Sequence, residues 1–191
     1  EKCCHYFDLM NLAAEAKPKK VYASGGQGVN FLDFEQDGES ADIDDHAFVV
    51  IDYDNGIRGN FTLNMFCHDF TEEMVICGDR GRLVTREIFN IHQQKPSSAT
   101  VALELGEFGG SKHTEVTYAR EIESSGHHGA TYYEHIAFVD QLEGNLSTSA
   151  TPLQGLWSII IACAAQQSIA TGEAVDIDQF LADNKLSEFS K

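Results

Sequence analysis

Glu1, His5 and Asp8 stand four and three residues apart, a spacing that projects all three side chains from one face of a helix. A carboxylate beside an imidazole fixes the ring's tautomer and favours its protonated form. That is the arrangement a general acid–base group needs to work on an alcohol or a carbonyl. The same spacing also suits an exposed helix whose acid–histidine pairs are merely solvated, so both roles stay open on spacing alone. A second helical face would carry His128, Tyr132 and His135, but a metal there needs a third ligand, and no H-E-x-x-H spacing occurs. No metal site is expected. A G-x-S-x-G nucleophile motif is also missing.

The glycine cluster Gly26-Gln27-Gly28-Val29-Asn30-Phe31 has Phe31 where a dinucleotide fingerprint needs its third glycine. It leads into an acidic loop, Asn30 to Asp45, instead of a helix N-terminus, and such a loop repels a pyrophosphate. A turn is expected there, and no cofactor-binding residue. Asp33, Glu35, Asp37, Gly38 and Asp44 approximate a calcium loop, yet Glu35 and Ser40 are wrong for their positions and flanking helices are absent. A solvated loop is the expectation.

These residues sit in a chain of 191, with 42% hydrophobic and 23% charged residues, which is an ordinary globular balance. A single domain over residues 1–191 is the default at this length. The formal net charge of −17 disfavours phosphate backbones and anionic lipid, so neither nucleic acid nor membrane is expected as a partner. Five cysteines, two of them adjacent, do not suit a disulfide scaffold, and a reducing, cytoplasmic setting is expected. The strongly apolar run from Leu156 to Ala165 is shorter than a bilayer span of about 20 residues.

The elements that must position the candidates follow from periodicity. Residues 1–16 read as an amphipathic helix with Tyr6, Leu9, Met10, Ala13 and Ala14 on its apolar side. A short strand over 20–24 precedes the glycine cluster. Asp54-Asn55-Gly56 predicts a tight hairpin turn between strands 47–53 and 57–66, and the second of these alternates apolar with polar residues. A second hairpin is predicted from 73–77 and 82–88 around Gly78 and Gly81. Further strands are expected over 89–93, 100–105 and 115–122, with a glycine-bearing turn over 106–113. Two closing helices are expected, 131–143 and one capped by Thr151 that begins at Pro152 and stops at Gly172. The middle of the last helix is apolar on nearly all sides, which predicts that it is deeply buried. The sum is an α+β fold.

The segment Glu1-Lys2-Cys3-Cys4-His5-Tyr6-Phe7-Asp8-Leu9-Met10 resembles the catalytic helix of the Gfo/Idh/MocA oxidoreductases: an acidic residue, three others, His, two others, Asp. The resemblance continues through 21–30, 44–66, the Gly78-to-Leu83 turn and 151–176, in the order of that family's C-terminal domain. It implies a large, mostly antiparallel open sheet with helices packed on one face, and an N-terminal Rossmann domain that is absent from this chain and binds NAD or NADP. The substrate would be a sugar, sugar derivative or polyol. His5 would then be the acid–base histidine, with Glu1, in place of the usual Asp, and Asp8 beside it; Gly126-His127-His128-Gly129 makes His128 a substrate-binding candidate. Lys2 does not match the family's catalytic lysine, which belongs to the N-terminal half. The implied assembly is a homo-oligomer through the open sheet face. Two alternatives accompany this reading: a non-catalytic sugar-binding or oligomerisation module, and an NAD-dependent glycosidase of the same family.

Overall fold

The computed structural model describes residues 3–67, 70–89, 98–147 and 149–190. The chain falls into two compact units: Glu1–Phe66 with Ala150–Lys191, and Cys67–Ser149. The fold class is α+β with open antiparallel sheets, as the resemblance implies.

In the first unit, helix α1 (Cys4–Ala14) leads into strand β1 (Pro18–Gly26), a two-strand ribbon of β2 (Glu35–Gln36) and β3 (Glu39–Ser40), and the hairpin β4 (His46–Tyr53) and β5 (Arg58–Asn64). The Asn55-Gly56 turn forms as expected, with Gly56 at φ +88°. The chain returns later as helix α4 (Pro152–Thr171), strand β10 (Val175–Asp176) and helix α5 (Ile177–Asp183). The sheet order is β10-β1-β4-β5, antiparallel throughout.

One face of this sheet carries Val21, Ala23, Val49, Ile51 and Tyr53, and these pack with Phe7, Trp157, Ile160, Ile161, Phe180 and Leu181 into one core. Each such large apolar side chain contributes on the order of 1.5–3 kcal/mol when fully buried. The alternate residues Tyr22, Phe48 and Val50 are exposed on the other face.

Two expectations about helix faces need correction. The buried residues of α1 are Phe7 and Ala14, with Met10 partly buried between them, while Leu9 and Ala13 are exposed, because the helix presents its Phe7 side to β5 and α4. Helix α4 is not buried all round: Ile159 and Cys163 are exposed, since β1 and α1 cover only one side of it. Its ends are as expected. Thr151 and Gln154 form a reciprocal capping box, Pro152 opens the first turn and Gly172 closes the last at φ +75°. By length and apolarity α4 could cross a bilayer, but here it is a core helix.

Helix α5 was not foreseen. Asp176 caps it by accepting from the Gln179 amide, and Ile177, Phe180 and Leu181 bury one face. Asp followed three residues on by Gln is the sequence signal for such a start.

The second unit is a four-stranded antiparallel meander: β6 (Phe70–Gly78), β7 (Gly81–Phe89), β8 (Ser98–Glu104) and β9 (Ser111–Val116). After it come the single turn α2 (Arg120–Glu123) and helix α3 (Ala130–Glu143), which ends on Gly144 at φ +76°. The strand expected over 115–122 is instead β9, four residues earlier. Gly106 and Gly110, both at positive φ, reverse the chain within residues 105–110, so pairing starts at once with Ser111 opposite Glu104. Phe89 belongs to β7, and the rest of the strand expected over 89–93 lies outside the described residues.

Candidate functional site

Helix α1 lies along β5. The Tyr6 ring stacks on Phe61 with centroids 5.4 Å apart, and Phe7 meets the same ring edge-on at 5.2 Å. One turn later Met10 reaches Gly59, where a Cβ would come within 2.6 Å of the Met10 methyl, so a larger residue there would make the end of that flexible side chain move. At the far end, Asn55 Nδ2 donates to the Ala14 carbonyl (3.0 Å). The helix therefore runs antiparallel to β5, and its first turn points toward the end of the sheet where β5 stops and β4 starts. Below it, the Tyr53 hydroxyl donates to Asn11 Oδ1 (3.1 Å), and burial pushes the Tyr53 phenol up to about 12.

That first turn bears His5, which is exposed, and Asp8, which is half-buried. Both lie on α1 as expected. Among the described residues no hydrogen bond or ion pair joins them. Glu1 lies outside the described residues. Asp8 also lines a shallow cavity of about 270 Å³ with Asn11, Leu12, Glu15, Ala16 and Gln154.

The carboxylate–imidazole pair that the structure does form is Asp45–His46. Asp45 is fully buried, and its Oδ1 lies 2.7 Å from His46 Nδ1. The same carboxylate accepts the backbone amides of Gly28 (2.9 Å), Val29 (2.7 Å) and Asn30 (2.6 Å). Burial raises the Asp45 carboxyl, but the bonds from His46, Val29, Asn30 and Gly28 outweigh it and hold the group well below the usual carboxylate range. An ionised carboxylate only accepts, so His46 Nδ1 carries the proton and, in the neutral ring, Nε2 carries the lone pair. Its ring meets Phe66 edge-on at 6.0 Å. The Asp45 carbonyl in turn accepts from Met65 N (2.8 Å), which ties the exit of β5 to the same point.

This clamp tests the glycine cluster as a pyrophosphate cradle. Three successive amides there do point at an anion, but the anion is Asp45. With these donors occupied and acidic residues following, the residues present do not fit a dinucleotide.

In the second unit, His128 lies in a short 3₁₀ turn (His127–Gly129) that precedes α3, so it does not continue the helical face of Tyr132 and His135. The His128 side chain lies outside the described residues. His135 Nδ1 bonds back to the Thr131 carbonyl at 2.7 Å. The ribbon of β2 and β3 turns through Asp37 and Gly38 at positive φ, and among the described residues no three His, Cys, Asp or Glu groups converge on a metal site.

The family model for the oxidoreductase family C-terminal alpha/beta domain matches residues 1–177, and the chain belongs to the Gfo/Idh/MocA oxidoreductase family. No curated protein matches it by sequence. Among solved structures, levoglucosan dehydrogenase in complex with NADH and levoglucosan is similar with a TM-score of 0.63 and 19% identity, over 93% of this chain and 49% of that one. An oxidoreductase from Agrobacterium radiobacter, in complex with NAD+, L-tartaric acid and magnesium, gives 0.61 at 15% identity, over 93% and 48%. Aldose-aldose oxidoreductase from Caulobacter crescentus, complexed with glycerol, gives 0.59 at 12%, over 91% and 45%. At these identities the likeness shows the fold. The chain spans about half the length of these proteins.

Proposed function

We propose that the chain is the C-terminal, substrate-side half of an NAD(P)-dependent oxidoreductase acting on a hydroxyl of a sugar, sugar derivative or polyol. The family match over residues 1–177, which includes the His5 turn, carries the reading. Two of the similar structures, whose names refer to levoglucosan and to aldoses, support the sugar class.

Oxidising a hydroxyl requires a proton acceptor within hydrogen-bond reach of the oxygen, and the reverse reaction requires a donor. His5 supplies both from an exposed helical turn. Glu1 and Asp8 are the acids that accompany it in the family pattern, and His128 is the candidate substrate-binding residue. The nicotinamide cofactor is held outside these residues, because the amides of Gly28, Val29 and Asn30 already serve Asp45. The protein is cytoplasmic, a reading supported by the exposed free thiols Cys67, Cys77 and Cys163. It self-associates through the open face of the first unit's sheet, where Tyr22, Phe48 and Val50 are otherwise left in water.

The test is kinetic. His5→Ala in the intact enzyme is expected to lower kcat by about 10²–10⁴-fold while cofactor affinity stays within a few fold. Near-normal turnover would remove His5 from the mechanism.

A further inference from the structure

We infer that the cavity between α1 and the first turn of α4 is a subsite for a hydroxylated ring or polyol chain, set along the helix from His5. This rests on the sugar reading above and adds a second place where such a molecule is held.

Asp8, Leu12 and Glu15 follow His5 by three, seven and ten residues, so they continue its stripe along α1. Asn11 and Ala16 complete that wall, and Gln154 closes the cavity from the first turn of α4. Asn11 stands six residues beyond His5, about 9 Å along the helix axis. The volume of about 270 Å³ falls just below the ~300–1,000 Å³ of drug-sized ligand sites and suits one small ring.

The Asn11 carboxamide is satisfied at one end only. Its Oδ1 accepts from the Tyr53 hydroxyl (3.1 Å), whereas its Nδ2 is buried with no hydrogen-bond partner among the described residues. A buried donor left unpaired is destabilising, and a ligand that brings an acceptor removes the penalty. Because Nδ2 is covered, the acceptor reaches it only as a lining side chain turns, and Leu12, 63% exposed, is free to turn. Gln154 repeats the pattern. Its Oε1 accepts from Thr151 N (2.8 Å) and the Thr151 hydroxyl (2.9 Å), and its Nε2 has no partner among the described residues.

Beside these two donors stand the acceptors of Asp8 and Glu15, which form no ion pair among the described residues. A cation would satisfy the carboxylates but offers nothing to the amides of Asn11 and Gln154. A phosphate or carboxylate would satisfy the amides but meets like charge at Asp8 and Glu15. A hydroxyl donates and accepts through one atom, so neighbouring hydroxyls serve both sets. Leu12 and Ala16 then face the C–H side of the same molecule. A sugar ring or a polyol has that make-up.

NMR of the side-chain amides in the full chain tests this, with sorbitol and glucose as probes and circular dichroism confirming that each variant is folded. At least one probe is expected to move the Asn11 and Gln154 amide signals along a saturable curve in the millimolar range. Glu15→Gln, which removes a charged acceptor, and Leu12→Trp, which fills the cavity, are each expected to raise Kd about tenfold. Signals that drift without saturating, or an Asn11 amide that responds to water only, overturn the subsite. Saturable binding indifferent to both variants overturns it too, because the probe then sits elsewhere. None of these results touches the role of His5, which the turnover of His5→Ala decides separately.

Discussion

Asp45 leaves water completely and still keeps its charge, because three backbone amides and an imidazole replace its hydration. The carboxyl is held below its ordinary value of 3.8, so the folded state binds its proton less readily than the unfolded chain. The resulting stability is present above that ordinary value and is lost as pH falls through the acid range. Asp45→Asn is expected to lower Tm at neutral pH, and the gap between the two proteins is expected to close on acidification. Thermal melts of both proteins over that range check this. The clamp itself was not legible in the sequence. Asp45 is one acid in a run of them, and its amide partners lie 15 to 17 residues away, a distance that only the closed loop removes. His5 and Asp8, by contrast, were legible as a helical pair, because three residues of helix fix their common face whatever packs behind it.

Helix ends were the most readable elements, since caps are local. Thr151→Ala should cost about 1 kcal/mol by removing the capping box of α4, which denaturant unfolding would register. Ser168, on the same helix, is fully buried and shows what local pattern does not reveal. Its hydroxyl accepts from Ala23 N (2.8 Å) and donates to the Glu173 carbonyl (2.7 Å), fastening α4 to β1 across 145 residues. Ser168→Ala leaves a buried amide without its partner and is expected to cost about 1–3 kcal/mol by the same measurement. The turns Asn55-Gly56 and Gly78–Gly81 were also legible from their residues. The place of β9 was not: its polar residues, Ser111 to Glu115, give no alternation, and pairing with β8 alone sets its register.

At the scale of the whole molecule, residues 1–191 by themselves are expected to fold without measurable NAD(P) affinity. Calorimetry on that chain checks it, and micromolar binding would return the cofactor site to these residues. The amino-acid order by itself determined the α+β class, the two central hairpins, the capped core helix and the family-like leading helix. These depend on periods of 2 and 3.6 residues, on turn glycines and on caps, all of which act over a few positions. Only the tertiary structure decided which stripe of α1 and α4 is buried, that the strands group into two four-stranded sheets, and that the glycine cluster serves a buried aspartate. Burial and hydrogen-bond partners are set by what arrives from distant parts of the chain: Gly59 admits Met10, Ser168 meets Ala23, and Asp45 closes on the amides of residues 28–30. Such pairings cost loop-closure entropy and are repaid only when the whole unit assembles, so no local window of sequence contains them.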